Sequence, residues 1–455
     1  MHPSRRRFLA RAVLGAGAFA GLRLLGACSP VDPVLPDSRR FGPLHADPDG
    51  ILDLPVGFSY RVLSRAGDTM NDGHRVPAAP DDMGAFATDE GLTVIVRNHE
   101  IDHDWPRSSG PFRGSPGPDT LALAWDAGAD GRPCLGGTTT LVYDTRERRL
   151  VSQHLSLVGT LRNCSGGTTP WGSWISCEES AASAGGALAR DHGYAFEVRA
   201  SAAPGLQLAE PLAAMGRFKR ESIVVDPASG VVYQTEDLDD GLLYRFLPDV
   251  PGDLARGGRL QALAIAGRPD AEIRNRDRAR VALGERLETR WIDLESPDTE
   301  ANDLRLRGRA AGAVRFARNE GACFENGALW LCSTEGARSG NGQLWRYRAA
   351  AAADGAHSEG GALELFFESR PGRAVEHLDT IVPAPWGDLL VTEDGAGRQH
   401  LAGVTPEGEL YAFARNALSD SEMTGPTFSP DGTTLFLGIQ KDALTLAIDG
   451  PWSGA

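Results

Sequence analysis

The feature that most constrains this chain is an internal repeat. Four segments share one frame: an acidic or cysteine residue, an alternating strand, a short turn, a second strand, then acidic residues. They are Cys164-SGGTTPWGSWISC-Glu178-Glu179, Glu221-SIVVDPASGVVYQT-Glu236-Asp237, Glu320-GACFENGALWLCST-Glu335 and Asp379-TIVPAPWGDLLVT-Glu393-Asp394. Looser copies run over residues 81–100 and 421–440. Between the copies lie stretches suited to outer strands, GYAFEVR, GLLYRFL, GQLWRYR and GELYAFAR. Repeats of this kind stack radially, each unable to bury its apolar faces alone, which is the signature of a β-propeller. The fold expected is all-β, a six-bladed β-propeller over residues 51–450. The partition also admits five or seven blades, because 101–160 does not divide cleanly. Residues 250–312 exceed what a blade needs and carry NRDRARVALGERLETR, so a partly helical insertion over one face is expected there. With 55 Gly and 29 Pro and no long amphipathic run, composition agrees with a turn-rich β protein.

In an antiparallel hairpin the start of the first strand and the end of the second are neighbours. Each repeat therefore sends its conspicuous residues to one mouth of the channel. The expected metal-binding ring is Cys164, Glu221, Glu320 and Asp379, with Glu178, Glu179, Glu393 and Asp394 as further ligands and Glu236, Asp237, Glu335, His99 and Glu100 close by. So many like charges repel unless cations neutralise them. Carboxylates suit hard ions and a thiolate suits iron, zinc or copper, so a mixed set calls for more than one kind of ion. Arg162, Lys219, Arg318 and His377 each stand two residues before a ring position. In extended backbone they would point to the ring's side, as a cationic layer able to bind an anion such as phosphate. A single acidic residue at a strand end is ordinarily just solvated, and Cys164 alone would be a small buried hydrophobe. Recurrence in register is what argues against both.

The N-terminus reads as an export signal. Ser4-Arg5-Arg6-Arg7-Phe8-Leu9 precedes a short Ala/Gly-rich apolar run, the pattern of a twin-arginine signal over residues 1–28. The twin-arginine translocase is thus an expected partner, and the destination periplasmic or extracellular. Leu25-Gly26-Ala27-Cys28 fits a lipobox, which would anchor the chain through a lipid on Cys28. Residues 29–50 read as a linker. Five cysteines follow Cys28, an odd number. Cys323 and Cys332 are offset on their hairpin, so no bridge is expected between them. With 61 acidic against 46 basic residues, no nucleic-acid partner is expected. A monomer is the default.

The stretches FSYRVLSRAGDTMNDGHRVPAAPDDMGAF, VRNHE, LRNCSGG, PWGSWISCEE, ARNEGACF and FSPDGTTLFLGIQ resemble the PhoX-type alkaline phosphatases. The resemblance spans about residues 50 to 445. It implies a six-bladed propeller phosphomonoesterase with two ferric ions and several calcium ions at its centre, hydrolysing a small phosphoester. It also implies that Cys164 ligates iron, that Glu221 and Glu320 bind metal, that Glu393 and Asp394 close a later blade, and that Arg318 holds the phosphoryl group. Arg318, Cys164 and Glu320 are thus the expected catalytic residues, with Lys219 and Arg162 beside the substrate. Arg220 stands where the family's pattern has histidine. Neither a Gly-x-Ser-x-Gly elbow nor a Walker loop occurs, so no serine nucleophile is expected. The rival readings are a calcium-dependent propeller lactonase or esterase, which needs neither Cys164 nor Arg318, and a non-catalytic binding module with structural metals.

Overall fold

The computed structural model describes residues 35–351, 357–370 and 375–452. The expected export signal over residues 1–28, with Cys28, lies outside them. The chain is all-β and propeller-like, with helices confined to short pieces such as Pro118–Leu123 and Leu304–Ala310. The four repeat segments form hairpins whose first strands are Asn163–Thr168, Arg220–Val225, Asn319–Glu325 and Leu378–Pro383. The looser copies supply Pro80–Ala87 and Met423–Phe428. These six strands meet one another in cyclic order around a central axis. The expected outer strands follow as Ala195–Arg199, Leu243–Pro248, Gln343–Ala349 and Leu410–Asn416.

Hydrogen bonding divides the strands into five sheets and not six. The reason lies in the predicted insertion. Its strand Arg286–Asp293 pairs with Gly258–Ile265 on one side and Gly360–Glu368 on the other, joining two four-stranded units by their outer edges into a nine-stranded sheet. The insertion therefore contributes two strands to this sheet, joined by irregular segments and one short α-helix, and its 272–276 segment and that helix pair with acidic residues beside the mouth. There Arg276 pairs with Glu335 at 2.9 Å and Arg305 with Asp240 at 2.8 Å. The stretch 101–160 resolves into a long loop followed by Gly136–Asp144 and Arg149–Thr160, which complete the first sheet.

The chain's start closes the fold. Ser59–Arg65 pairs with Leu444–Asp449 as the outermost strand of the last sheet. The expected linker is also built in: Leu35 is buried, and Leu44–His45 pairs with Leu54 and Pro55 at the edge of the preceding sheet. The core fills the wedges between neighbouring sheets. One wedge holds Val224, Tyr233, Leu329, Trp345 and Tyr347, and another holds Ile175, Phe218, Tyr244 and Phe246. Each such side chain contributes about 1.5–3 kcal/mol by leaving water. Trp174 and Trp386 belong to this packing: Trp174 is buried, and Trp386 stacks on Trp452 with centroids 5.7 Å apart. The cysteines of the described residues are all free, and Cys323 faces Trp330 across its hairpin.

Candidate metal centre

Every inner strand breaks its ladder at the same place. The register slips between Pro80 and Met83, Asn163 and Gly166, Arg220 and Ile223, Asn319 and Ala322, Leu378 and Ile381, and Thr424 and Thr427. A bulge leaves residues unpaired and re-aims their side chains. Here it turns Asp81, Cys164, Glu221, Glu320 and Asp379 toward the axis, with Asp82, Ser165, Ser222 and Thr380 one residue further down. Backbones meet closely at this level. A Cβ on Gly321 would lie 2.6 Å from Thr380 Cα, and one on Gly167 would lie 2.0 Å from Ile223 O.

The ring residues interlock. Ligand atoms of Asp81, Glu100 and Cys164 lie within 4.8 Å of one another, as do those of Cys164, Glu179 and Glu221, of Glu179, Asp237 and Glu320, and of Glu221, Glu320 and Asp379. Four overlapping triads thus run round the channel. Burial, with repulsion among Glu179, Glu320 and Asp379, pushes Glu221 far above the ordinary carboxylate range. Burial and neighbouring acids also raise Asp81, Glu320, Asp379 and the Cys164 thiol. Glu100 rises to about 8 through burial and Glu179, and Glu422 to about 7 through burial and Asp394. The Oε2 of Glu221 is buried without any hydrogen-bond partner. A buried, orphaned carboxylate oxygen among acids is a donor suited to a cation, and oxygen donors with one thiolate fit hard ions together with iron.

Four of the five residues two before the ring are not extended. Ala79, Arg162, Arg318 and His377 have φ of 44°, 48°, 52° and 52°, the left-handed region that costs a residue with a side chain of order 1–3 kcal/mol. All four carbonyls accept a bond from the mouth: Ala79 from Glu100 N at 2.9 Å, Arg162 from Glu179 N at 2.9 Å, Arg318 from Thr334 N at 2.8 Å, and His377 from Asp394 N at 3.0 Å. The expected free cationic layer is instead a belt in which charges alternate. Arg162 pairs with Glu100 and with Glu179 at 2.5 Å; Lys219 with Glu179 at 2.8 Å and Asp237 at 2.6 Å; Arg318 with Asp237 at 3.0 Å and Glu320 at 2.6 Å. Burial opposes ionisation of Asp237, but Lys219 and Arg318 outweigh it and hold it down at about 2. The Nη1 of Arg318 lies 3.6 Å from Glu335 Oε1.

Two expected ligands face away from the centre. Glu178 is fully buried and accepts from the backbone N–H groups of Leu161, Gly193 and Tyr194, while pairing with His192 Nδ1 at 2.6 Å. Glu393 likewise accepts from Glu376 N and His400 N, and Glu236 from Leu242 N and the Tyr244 hydroxyl. These first members of the acidic pairs tie down the outer strand. Only the second members, Glu179, Asp237 and Asp394, reach the mouth. His99 is also structural, bound to Ala78 O and Thr139 Oγ1. Sequence reasoning missed Asp81, Asp82, Glu422 and Lys441. Asp81 had a usable signal: Asp81 and His99-Glu100 sit in the frame that Cys164 and Glu178-Glu179 occupy. The chain's second lysine, Lys441, favours ionisation of Asp394 and Glu422.

No curated protein sequence is matched by this chain. Among solved structures, PhoX of Pseudomonas fluorescens in complex with vanadate aligns with a TM-score of 0.63 and 17% identity, covering 93% of this chain and 98% of that one. The periplasmic gluconolactonase PpgL of Pseudomonas aeruginosa aligns with a TM-score of 0.40 and 14% identity over 88% and 93% of the two chains. The first shares the fold, and the second is too distant to carry an argument. The profile of the family alkaline phosphatase PhoX matches residues 39–442. The repeat, the bulged ring and this match over most of the sequence place the chain in the PhoX family of alkaline phosphatases.

Proposed function

We propose that the chain hydrolyses phosphomonoesters at a metal cluster held by the bulged ring. The reading takes the scaffold as six-bladed, two blades being fused through Arg286–Asp293. The observation that carries it is the orphaned Glu221 Oε2 among four overlapping ligand triads. Cys164, Glu179 and Glu221 would hold iron, two ferric ions in all, and Asp81, Glu320, Asp379 and Asp394 would take part with several calcium ions. Bound there, the cations would supply the electrophile for the phosphoryl oxygens and acidify the attacking water.

The chain's own residues supply the rest. Arg318 is fixed on two sides by Asp237 and Glu320, so its remaining edge meets an anion without losing further freedom. Its side chain is 28% exposed at the mouth. Lys219 and Arg162 flank it and set the sign of the local field. The nearby serines point to no nucleophilic role: Ser165 Oγ donates to Asp82, and Ser222 Oγ to Gly166 O at 3.3 Å. A lactonase or a passive binding module has no use for this arginine. Arg318→Ala is therefore expected to lower p-nitrophenyl phosphate turnover about 10²–10³-fold, the loss typical of one preorganised charge contact, with metal still bound and the fold intact. Turnover within twofold of wild type contradicts the assignment.

The proposal extends to location. Twin-arginine export would deliver a folded, metal-loaded monomer to the periplasm or cell surface, with Cys28 as a lipid anchor. Replacing Arg5, Arg6 and Arg7 by lysine should retain the precursor inside the cell on fractionation. Undiminished export would sink this part.

A further inference from the structure

Away from the channel, two irregular segments converge on one imidazole. Residues 100–135 join the first sheet's second and third strands with almost no regular structure. Loops of that length are uncommon in compact domains unless something pins them. From the end of this loop come Asp126 and Cys134, and from the connection between Ser173–Glu178 and Ala195–Arg199 comes His192. Asp126 and His192 are fully buried and Cys134 nearly so.

The geometry at His192 is unlike a simple ion pair. Its Nδ1 faces Glu178 Oε1 at 2.6 Å, a normal charge-assisted bond. Its Nε2 faces Asp126 Oδ2 at 3.2 Å and Cys134 Sγ at 3.8 Å, a carboxylate and a thiol converging on one ring nitrogen that can offer at most a single proton. The 3.2 Å separation is also long beside the roughly 2.7–2.9 Å of charge-assisted pairs. Tetrahedral zinc with Zn–N, Zn–O and Zn–S bonds of about 2.0, 2.1 and 2.3 Å puts its nitrogen about 3.3 Å from its oxygen and about 3.6 Å from its sulfur. The observed edges are close to those. The carboxylate on the far ring nitrogen completes the usual support of a metal-bound histidine, fixing tautomer and ring plane. Asp126 is oriented in turn by Gly128 N on Oδ1 and by Ala189 N and Arg190 N on Oδ2.

We propose that Asp126, Cys134 and His192 form a second metal site, for a zinc-class divalent cation, which staples the 100–135 loop to the strand end that presents Glu179. Mixed N, O and S donors select such a metal over calcium or magnesium. Three protein donors leave one tetrahedral position for a water, and full burial keeps substrates out, so the role is structural. Glu178, whose other contacts hold the hairpin end, connects this site to the ring through its neighbour Glu179. The inference does not depend on the phosphatase reading.

The test is metal content and cobalt substitution of the full-length protein, in wild type, Cys134→Ser and Asp126→Asn. The central thiolate of Cys164 contributes equally to all three, so differences isolate the second site. Wild type should retain one more equivalent of zinc per chain than either variant after dialysis. Its cobalt form should show a thiolate-to-cobalt charge-transfer band that Cys134→Ser lacks, and Asp126→Asn should bind at least about tenfold more weakly. Equal zinc and identical cobalt spectra in folded wild type and either folded variant overturn the proposal. Should neither variant fold, wild type and Cys164→Ala decide it: a cobalt–thiolate band persisting without Cys164 supports the site, and its absence overturns it. Metal content and spectrum alone are read, so the state of the catalytic centre does not enter.

Discussion

Adjacent acidic residues at the strand ends have opposite roles. Side chains alternate along a strand, so Glu178 turns outward to bury itself among three backbone N–H groups while Glu179 turns inward to Lys219, Arg162 and the ring. Glu178→Gln should therefore destabilise the protein by about 3–5 kcal/mol, the cost of breaking a buried charge pair, as read by urea unfolding. Glu179→Gln should instead lower bound metal and cost the metal-free form less than Glu178→Gln, because the lost pairing with Arg162 and Lys219 is offset by relief of the repulsion Glu179 exerts on Glu221 and Glu100. The reverse pattern would contradict the assignment. This is also where the sequence was least legible. Spacing shows that both acids lie at one mouth, but only the register of the hairpin tells which one faces in. Cys164, Glu221, Glu320 and Asp379 were readable because recurrence in frame marks them. The orientation of Arg162, Arg318 and His377 was not, because their left-handed backbone breaks the period-two rule on which that reading stood.

At the scale of the element, the bulged inner strand is the functional unit. Its bulge aims the ring residue, and in Asn319–Glu325 a glycine within the bulge, Gly321, lets the next strand approach. Gly321→Ala would drive a methyl into the backbone of Thr380 and Asp379. We expect a loss of about 1–3 kcal/mol in stability, the usual cost of overpacking, and weaker metal retention because Glu320 and Asp379 move apart. Wild-type stability and metal content in that variant would show that the strands tolerate separation. Hairpins, outer strands and their order were legible as alternating runs punctuated by Gly, Pro and Asp. The fusion of two blades was not, since the insertion's RLETRWID alternates like any edge strand and its partners are set by tertiary packing.

At the scale of the whole molecule, the centre concentrates negative charge that the fold alone does not neutralise. Glu100 and Glu422 are raised by burial to about 8 and about 7, and Asp82 by burial to about 6. An unfolded chain releases these protons near pH ~4. Between about pH 4 and 8 the folded, metal-free protein thus binds more protons than the unfolded one, so its stability falls as pH rises through that window. Asp237, held at about 2, acts in the opposite sense, its contribution being lost only on strong acidification. Bound cations replace the protons and remove the slope. Melting temperatures of chelator-stripped protein should decline from about pH 5 to 8 and those of metal-loaded protein should not, and parallel curves would contradict this.

The central claim is that the bulged ring is a catalytic metal centre with Cys164 as its thiolate. Its most direct test is elemental analysis of the purified full-length protein together with p-nitrophenyl phosphate turnover, for wild type and Cys164→Ala. The account predicts iron and calcium in wild type, with iron and turnover lost together in the variant while the fold persists. Calcium without iron in an inactive wild type, or full turnover in Cys164→Ala, would contradict it.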